Sequence, residues 1–297
     1  MGQPVITLLK TTQDIPSTRL GIRAHDLGRF PADVLARKVS DAGLDCVQLA
    51  LGKAIEGVEL APGFIDEAFA SRIGAAFAAY QVGVEVLGCY INPIHPDANE
   101  RALLMLLFKD HLRHARAFGC NIVALESGSL NADYSPHPGN ADEEAFQCLL
   151  GTLRELVDEA ERFGVVVGIE AVTSHVISTP ERMRRLLDEI SSPHLQVVFD
   201  PVNLLTSENC GDHRGIMRRS FELFGDRIAV VHAKDFRLEE ERLVFCPPGT
   251  GSLDFEFLLS WLPVHRPGIA VLMEETPVEC ISSCSGFLKN PTGLSVS

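Results

Sequence analysis

The stretch LQVVFDPVNLL, residues 195 to 205, climbs through an apolar run to Phe199 and then meets Asp200 and Pro201. A run apolar on both faces, five or six residues long and stopped by Asp-Pro, reads as a strand of a covered parallel sheet. An isolated carboxylate is very costly to bury. Asp200 therefore needs a partner for its charge.

Seven more runs have the same character. They are RLGIRAHD (19–26), LDCVQLAL (44–51), VGVEVLGCY (82–90), NIVALES (121–127), VVVGIEAV (165–172), RIAVVHAKD (227–235) and GIAVLMEE (268–275). Amphipathic stretches lie between them. PADVLARKVSDAG (31–43) opens on Pro and closes on Gly, the expected asymmetry of a helix. ADEEAFQCLLGTLRELVDEAERFG (141–164) carries acids in its first turn and apolar residues at helical spacing. TPERMRRLLDEI (179–190) places Thr179 as an N-cap before Pro180. SLDFEFLLSWL (252–262) is the weakest of the helices. Strand and helix alternating eight times over 297 residues predicts a single-domain α/β fold, a (β/α)8 TIM barrel. An open doubly wound sheet usually shows a Gly-rich phosphate turn after its first strand, and HDLGRFPAD (25–33) has one Gly. GTGS at 249–252 reads as a turn. The domain is expected to span residues 1–297, with 1–18 as an N-terminal extension and 279–297 as a C-terminal helix and tail.

Composition narrows the function. The formal net charge is −14, which repels phosphate backbones and argues against nucleic acid as a partner. The eight cysteines, at 46, 89, 120, 148, 210, 246, 280 and 284, form no CxxC and no zinc-finger spacing, the usage of reduced thiols. Cys280 and Cys284 fall four apart, on one face of a last helix. The N-terminus has no signal-peptide pattern, Gly2 lacks the Ser or Thr of a myristoylation site, and no run reaches membrane-span length. The expectation is a cytoplasmic protein with no membrane partner, compatible with homo-oligomerisation.

In a barrel, chemistry sits at the C-terminal ends of strands. The last polar residues of the fifth to eighth strand candidates are Glu170, Asp200, His232 and Glu274, separated by 30, 32 and 42 residues. Inward positions share parity, so 168 and 166 should lie below 170, and 230 and 228 below 232. Three carboxylates at one rim repel unless something positive lies among them, and one imidazole is insufficient. A divalent cation is the expected partner of Asp200. Oxygen and imidazole donors without thiolate suit Mn²⁺, Mg²⁺, Co²⁺ or Zn²⁺. Three anionic ligands around one such ion leave a net negative shell, better suited to hydroxyl or carbonyl oxygens than to a phosphate.

At these residues the chain resembles the sugar phosphate isomerase/epimerase family, the xylose-isomerase-like barrel superfamily. The resemblance runs from about residue 20 to 275 and rests on GIE (168–170), the Asp of FDPVN, VHAKD (231–235), PGTGSLDF (248–255) and the Glu of VLMEE. It implies an enzyme that binds one metal through Glu170, Asp200, His232 and Glu274. Glu170 and Glu274 would act as base and acid on a sugar or polyhydroxy carbonyl compound, through an enediolate. VHAKD looks more like inosose dehydratases, which implies a hydro-lyase as the alternative; further alternatives are an endonuclease IV-like nuclease and an inactive sugar-binding barrel. Many members carry His three residues after the sixth-strand Asp, where this chain has Asn203. An amide can bind a substrate hydroxyl but does not titrate near neutrality. The endonuclease cluster needs more histidines than this rim supplies. Other candidates for substrate binding are His175, Glu126, Lys234 and Arg237, with His25 and His95 on the same side; His111 and His114 read as surface residues of the long third helix.

Overall fold

A computed structural model of the protein describes residues 18–291. Of the expected N-terminal extension only Thr18 falls among them, and residues 292–297 of the tail lie outside them. The strands are β1 (Arg19–Arg23), β2 (Cys46–Leu49), β3 (Gly83–Gly88), β4 (Ile122–Glu126), β5 (Val166–Glu170), β6 (Leu195–Phe199), β7 (Ile228–Ala233), β8 (Asp235–Glu239), β9 (Arg242–Cys246) and β10 (Ala270–Met273). Eight of them close a parallel barrel in the order β1-β10-β7-β6-β5-β4-β3-β2. This is the predicted (β/α)8 architecture.

The helices are α1 (Ala32–Asp41), α2 (Leu51–Ala54), α3 (Glu67–Ala79), α4 (Ala98–His114), α5 (Glu143–Phe163), α6 (Pro180–Glu189), α7 (His213–Phe224), α8 (Phe255–His265) and α9 (Ile281–Lys289). Their ends follow side-chain chemistry. Asp66 and Asp97 accept first-turn N–H groups of α3 and α4, and Asp254 does so for α8. Thr179 caps α6 ahead of Pro180, as the sequence indicates. Gly164 ends α5 at φ 63°, a left-handed conformation that favours glycine. Cys280 precedes α9 in a short 3-10 turn, while Cys284 is buried within the helix; both thiols are free.

Period-two alternation sorts the strands into two layers. Cys46, Val86, Ile122, Ala124, Val198, Val230, Ala270 and Leu272 pack together as one buried cluster in the barrel interior. The outward set, including Val47, Leu125, Ile169, Phe199, Val231 and Met273, joins the larger core beneath the helices. Five of these eight interior residues have a polar residue two positions later: Gln48 after Cys46, Glu126 after Ala124, Asp200 after Val198, His232 after Val230, Glu274 after Leu272. Alternation alone therefore delivers these side chains to one rim.

The β8–β9 hairpin is a feature the sequence did not announce. It pairs antiparallel after β7. Its two-residue turn is Glu240 at φ 48° and Glu241 at φ 62°, where Asn-Gly is the usual signal. Left-handed conformations at non-glycine residues cost roughly 1–2 kcal/mol each.

His111 corrects a second expectation. It is fully buried in α4 rather than on the surface. Its Nδ1 lies 2.8 Å from the Leu107 carbonyl, so Nδ1 carries the proton, and among the described residues its Nε2 meets no partner. Burial pushes its pKa down to about 4, against the weaker opposing pull of the Leu107 carbonyl and Asp110. The folded state thus resists a proton that the unfolded chain accepts. Stability from this residue is fully present above the unfolded value and is lost as pH falls toward about 4. Between pH 7 and pH 5 the expected loss is about 2 kcal/mol. Urea unfolding at both pH values should show it in the wild type. His111→Leu should show a pH dependence smaller by that amount; an unchanged pH dependence contradicts the assignment.

Candidate active site

Four strand ends converge. Asp200 Oδ1 accepts the N–H of Val202 at 2.8 Å and of Asn203 at 3.2 Å. One oxygen thus holds the turn after β6, and Oδ2 is left for the site. Glu170, closing β5, accepts from Asn203 Nδ2 at 2.7 Å. His232, near the end of β7, directs Nδ1 between two carboxylates, 3.3 Å from Glu170 and 3.1 Å from Glu274. Donor atoms of Glu170, Asp200 and His232 all lie within 4.8 Å of one another, and all three residues are buried. Glu274, just after β10, is buried beside them.

Asp200 meets an ammonium. Lys234 Nζ lies 2.9 Å from Asp200 Oδ2 and 3.3 Å from Glu274 Oε2, and it donates to Asn203 Oδ1 at 2.7 Å. Arg23 adds a guanidinium 3.7 Å from Glu274. The expectation that one imidazole stands alone among three carboxylates is therefore corrected: charge balance by itself does not require an ion. What fits a metal is the donor set, three buried carboxylates and an imidazole nitrogen converging from four strands.

Electrostatics follow from this crowding. Burial disfavours charge on His232, but Glu274 and Glu170 outweigh it and push the imidazole up to about 9. Burial likewise opposes ionisation of Glu274, yet His232, Lys234 and Arg23 hold it down to about 2. Burial works against the Lys234 charge, and Asp200, Glu274 and Glu170 raise its pKa nonetheless. Burial, with Glu170 and Glu274 nearby, pushes Glu126 up to about 7.

Above this cluster opens a cavity of about 430 Å³. Glu126, Glu170, Asn203, Lys234 and Glu274 line it, as does His25, with Arg23, Lys53, Tyr90, Tyr134 and Val172. His175 is not on the wall: it is buried behind, with Nδ1 3.4 Å from Glu126 Oε2 and its ring edge-on to Tyr134. Burial lowers the pKa of His175 to about 4. Arg237 lies on the exposed face of the hairpin and donates to the Thr250 carbonyl at 2.7 Å, away from the cavity. His95 stays in the loop before α4, where its Nδ1 accepts from the Asp97 N–H. Arg23, Gln48 and Tyr90 escaped the sequence reading. The rule that selected Glu170, applied to the second strand, selects Gln48.

A family model for the xylose isomerase-like TIM barrel matches residues 36–285, and the chain belongs to that family. An inosose dehydratase of Salmonella typhimurium is 24% identical over 200 residues, covering 59% of this chain and 64% of its own. A D-psicose 3-epimerase of Enterocloster bolteae is 29% identical over 186 residues, covering 60% and 55%. The chain thus spans less than two thirds of the length of these relatives. Among solved structures, the IOLI protein with a bound zinc atom has a TM-score of 0.70 at 16% identity, covering 94% of this chain and all of that one; the likeness is one of fold.

Lys234 is the cation on which the metal-free cluster turns. Removing one member of a buried ion network typically costs about 3–5 kcal/mol. Lys234→Met, which keeps the stem but not the charge, should lower the urea midpoint of the metal-free protein accordingly. A change below about 1 kcal/mol would mean that the ammonium is not integral to the cluster.

Proposed function

We propose that the protein is a metal-dependent isomerase or epimerase of a small sugar or related polyhydroxy carbonyl compound. It moves a proton at the carbon next to the carbonyl, through an enediolate. The observation that carries this reading is the buried convergence of Glu170, Asp200 and His232 within 4.8 Å, with Glu274 alongside, at the floor of a cavity of sugar size. One divalent ion held by these four residues, with Mn²⁺ foremost among Mn²⁺, Mg²⁺, Co²⁺ and Zn²⁺, supplies Lewis acidity toward the carbonyl oxygen and its neighbouring hydroxyl.

The protein's own groups supply proton transfer and orientation. Glu170 and Glu274 approach from strands separated in the barrel by β6 and β7, so they flank whatever lies between. One removes the proton and the other returns it on the opposite face. Asn203, fixed between Glu170 and Lys234, offers its amide to substrate hydroxyls. Lys234 and Glu126 line the same space. His175 acts through Glu126 rather than by contact. The free thiols suit a reducing compartment, so the reading places the protein in the cytoplasm. Among the described residues no helix is long and apolar enough to cross a membrane.

A hydro-lyase is the second reading. It is favoured by Glu126, whose carboxyl burial and the nearby Glu170 and Glu274 push up to about 7, so that near neutrality it can both hold and give up a proton, as protonation of a departing β-hydroxyl requires. The inosose dehydratase relative points the same way. The two readings share proton abstraction and differ in product: loss of water in the mass spectrum identifies the hydro-lyase.

Two measurements test the reading. Purified protein should take up about one Mn²⁺ per chain, and Asp200→Ala should lose it; equal affinity in the variant contradicts the ligand set. In D₂O, ketoses and inososes are incubated with enzyme and followed by NMR for deuterium next to the carbonyl. Glu170→Gln and Glu274→Gln should each slow exchange at least ~100-fold, as expected for loss of general acid–base catalysis. Exchange as fast as wild type in both variants removes them as acid and base. No exchange by wild type across the panel favours a sugar-binding barrel without turnover.

A further inference from the structure

Outside the ligand set, one polar chain crosses the buried interior of the barrel. Gln48, on β2, is fully buried. Its Oε1 lies 2.8 Å from His232 Nε2, on the far side of the barrel. Its Nε2 donates to the hydroxyl of Tyr90, just beyond β3. Tyr90 in turn lines the cavity.

The direction of these bonds has consequences. A carbonyl oxygen only accepts, so the proton facing Gln48 is on His232 Nε2. An imidazole offers a metal the lone pair of one nitrogen, and which one is set by the hydrogen bond of the other. Nδ1, which faces Glu170 and Glu274, is then the nitrogen whose proton a cation can displace. At the other end of the chain, Tyr90 accepts from Gln48, so its own hydroxyl proton is free to be donated into the cavity.

Tyr90 is also held in place as a ring. A Cβ at Gly88 would come within 2.9 Å of Tyr90 Cε2, so the missing side chain at 88 is what gives the ring its space. The Lys53 ammonium lies 4.8 Å from the ring centroid, a cation–π distance. The hydroxyl is left in one position, anchored by Gln48.

We infer that Gln48 is a positioning residue that commits His232 Nδ1 to the metal and, through the same amide, turns Tyr90 into a hydrogen-bond donor for a substrate oxygen. This rests on the metal-dependent reading above. The opposite amide orientation would set an NH₂ group against Nε2, place the proton on Nδ1 and close that nitrogen to a cation.

The test separates the bond from the metal. ¹⁵N-histidine spectra of the metal-free protein read the His232 Nε2 proton directly, whether or not an ion ever binds. The proton should be present in wild type and its signal displaced in Gln48→Leu. Mn²⁺ titration should then show Gln48→Leu weakened about 10–100-fold, as expected when the orienting partner of a histidine ligand is lost. Gln48→Glu keeps the acceptor and should stay within about tenfold of wild type, on the favourable side of Gln48→Leu. Tyr90→Phe should leave Mn²⁺ affinity within about threefold. For any sugar the wild type exchanges, it should raise KM about tenfold with kcat less affected, the scale of one lost hydrogen bond. Thermal melts establish that each variant is folded. An unprotonated Nε2 in wild type, or Gln48→Leu that is folded and binds Mn²⁺ as tightly as wild type, overturns the inference. A protonated Nε2 in a wild type that takes up no Mn²⁺ overturns the metal reading, and the Gln48 bond stands without it.

Discussion

Burying three carboxylates within a few ångströms of one another is the constraint on which the structure of this rim depends. Each charge withdrawn from water costs several kcal/mol unless it is paired and hydrogen-bonded. Glu170, Asp200 and Glu274 are all buried. They are accommodated because Lys234 spans Asp200 and Glu274, His232 stands between Glu170 and Glu274, and Arg23 approaches Glu274 from β1. The pairing shows in the pKa values: against burial, His232, Lys234 and Arg23 drive Glu274 down, while Glu274 and Glu170 drive His232 up.

The fold places these groups with little help from loops. Five of the six strand-end polar residues follow the interior core residues two positions later, and Glu170 follows Gly168 in the same register. Loops then do local work. Asp235, immediately after Lys234, accepts N–H groups from Phe236, Gly249, Gly251 and Leu253. One carboxylate thus closes the segment that carries the hairpin and returns the chain to α8. The GTGS turn at 249–252 is part of that carboxylate nest rather than a phosphate loop. Phe245, on the hairpin, lies 4.7 Å from Lys234 Nζ, so the hairpin reaches back to the rim.

Much of this was legible from residue order. Eight apolar runs and their polar ends were enough for the barrel and for the convergence of Glu170, Asp200, His232 and Glu274. Caps such as Thr179 and stops such as Gly164 also stood in the sequence. What escaped depends on three-dimensional neighbours. The partner of Asp200 was sought as an ion because Lys234 follows β7 by only one residue, and nothing in its spacing says that its ammonium folds back onto Asp200 and Glu274. His175 and Arg237 lie near the right strand ends in sequence, but one is turned behind Glu126 and the other is carried away by the hairpin. That hairpin was hidden because Glu240 and Glu241 occupy a turn that normally shows Asn or Gly. His111 gave no sign of burial because a lone histidine on a helix reads the same on either face.

The central claim is that this rim holds one divalent cation through four strand ends. Diffraction from a crystal soaked with Mn²⁺, recorded for the anomalous signal of manganese, tests it most directly. The account predicts a single strong peak bounded by Glu170, Asp200, Glu274 and the Nδ1 of His232, with the Lys234 ammonium moved off the carboxylates. A peak lying elsewhere, or a rim that keeps Lys234 on Asp200 and binds no manganese at saturating concentration, contradicts it.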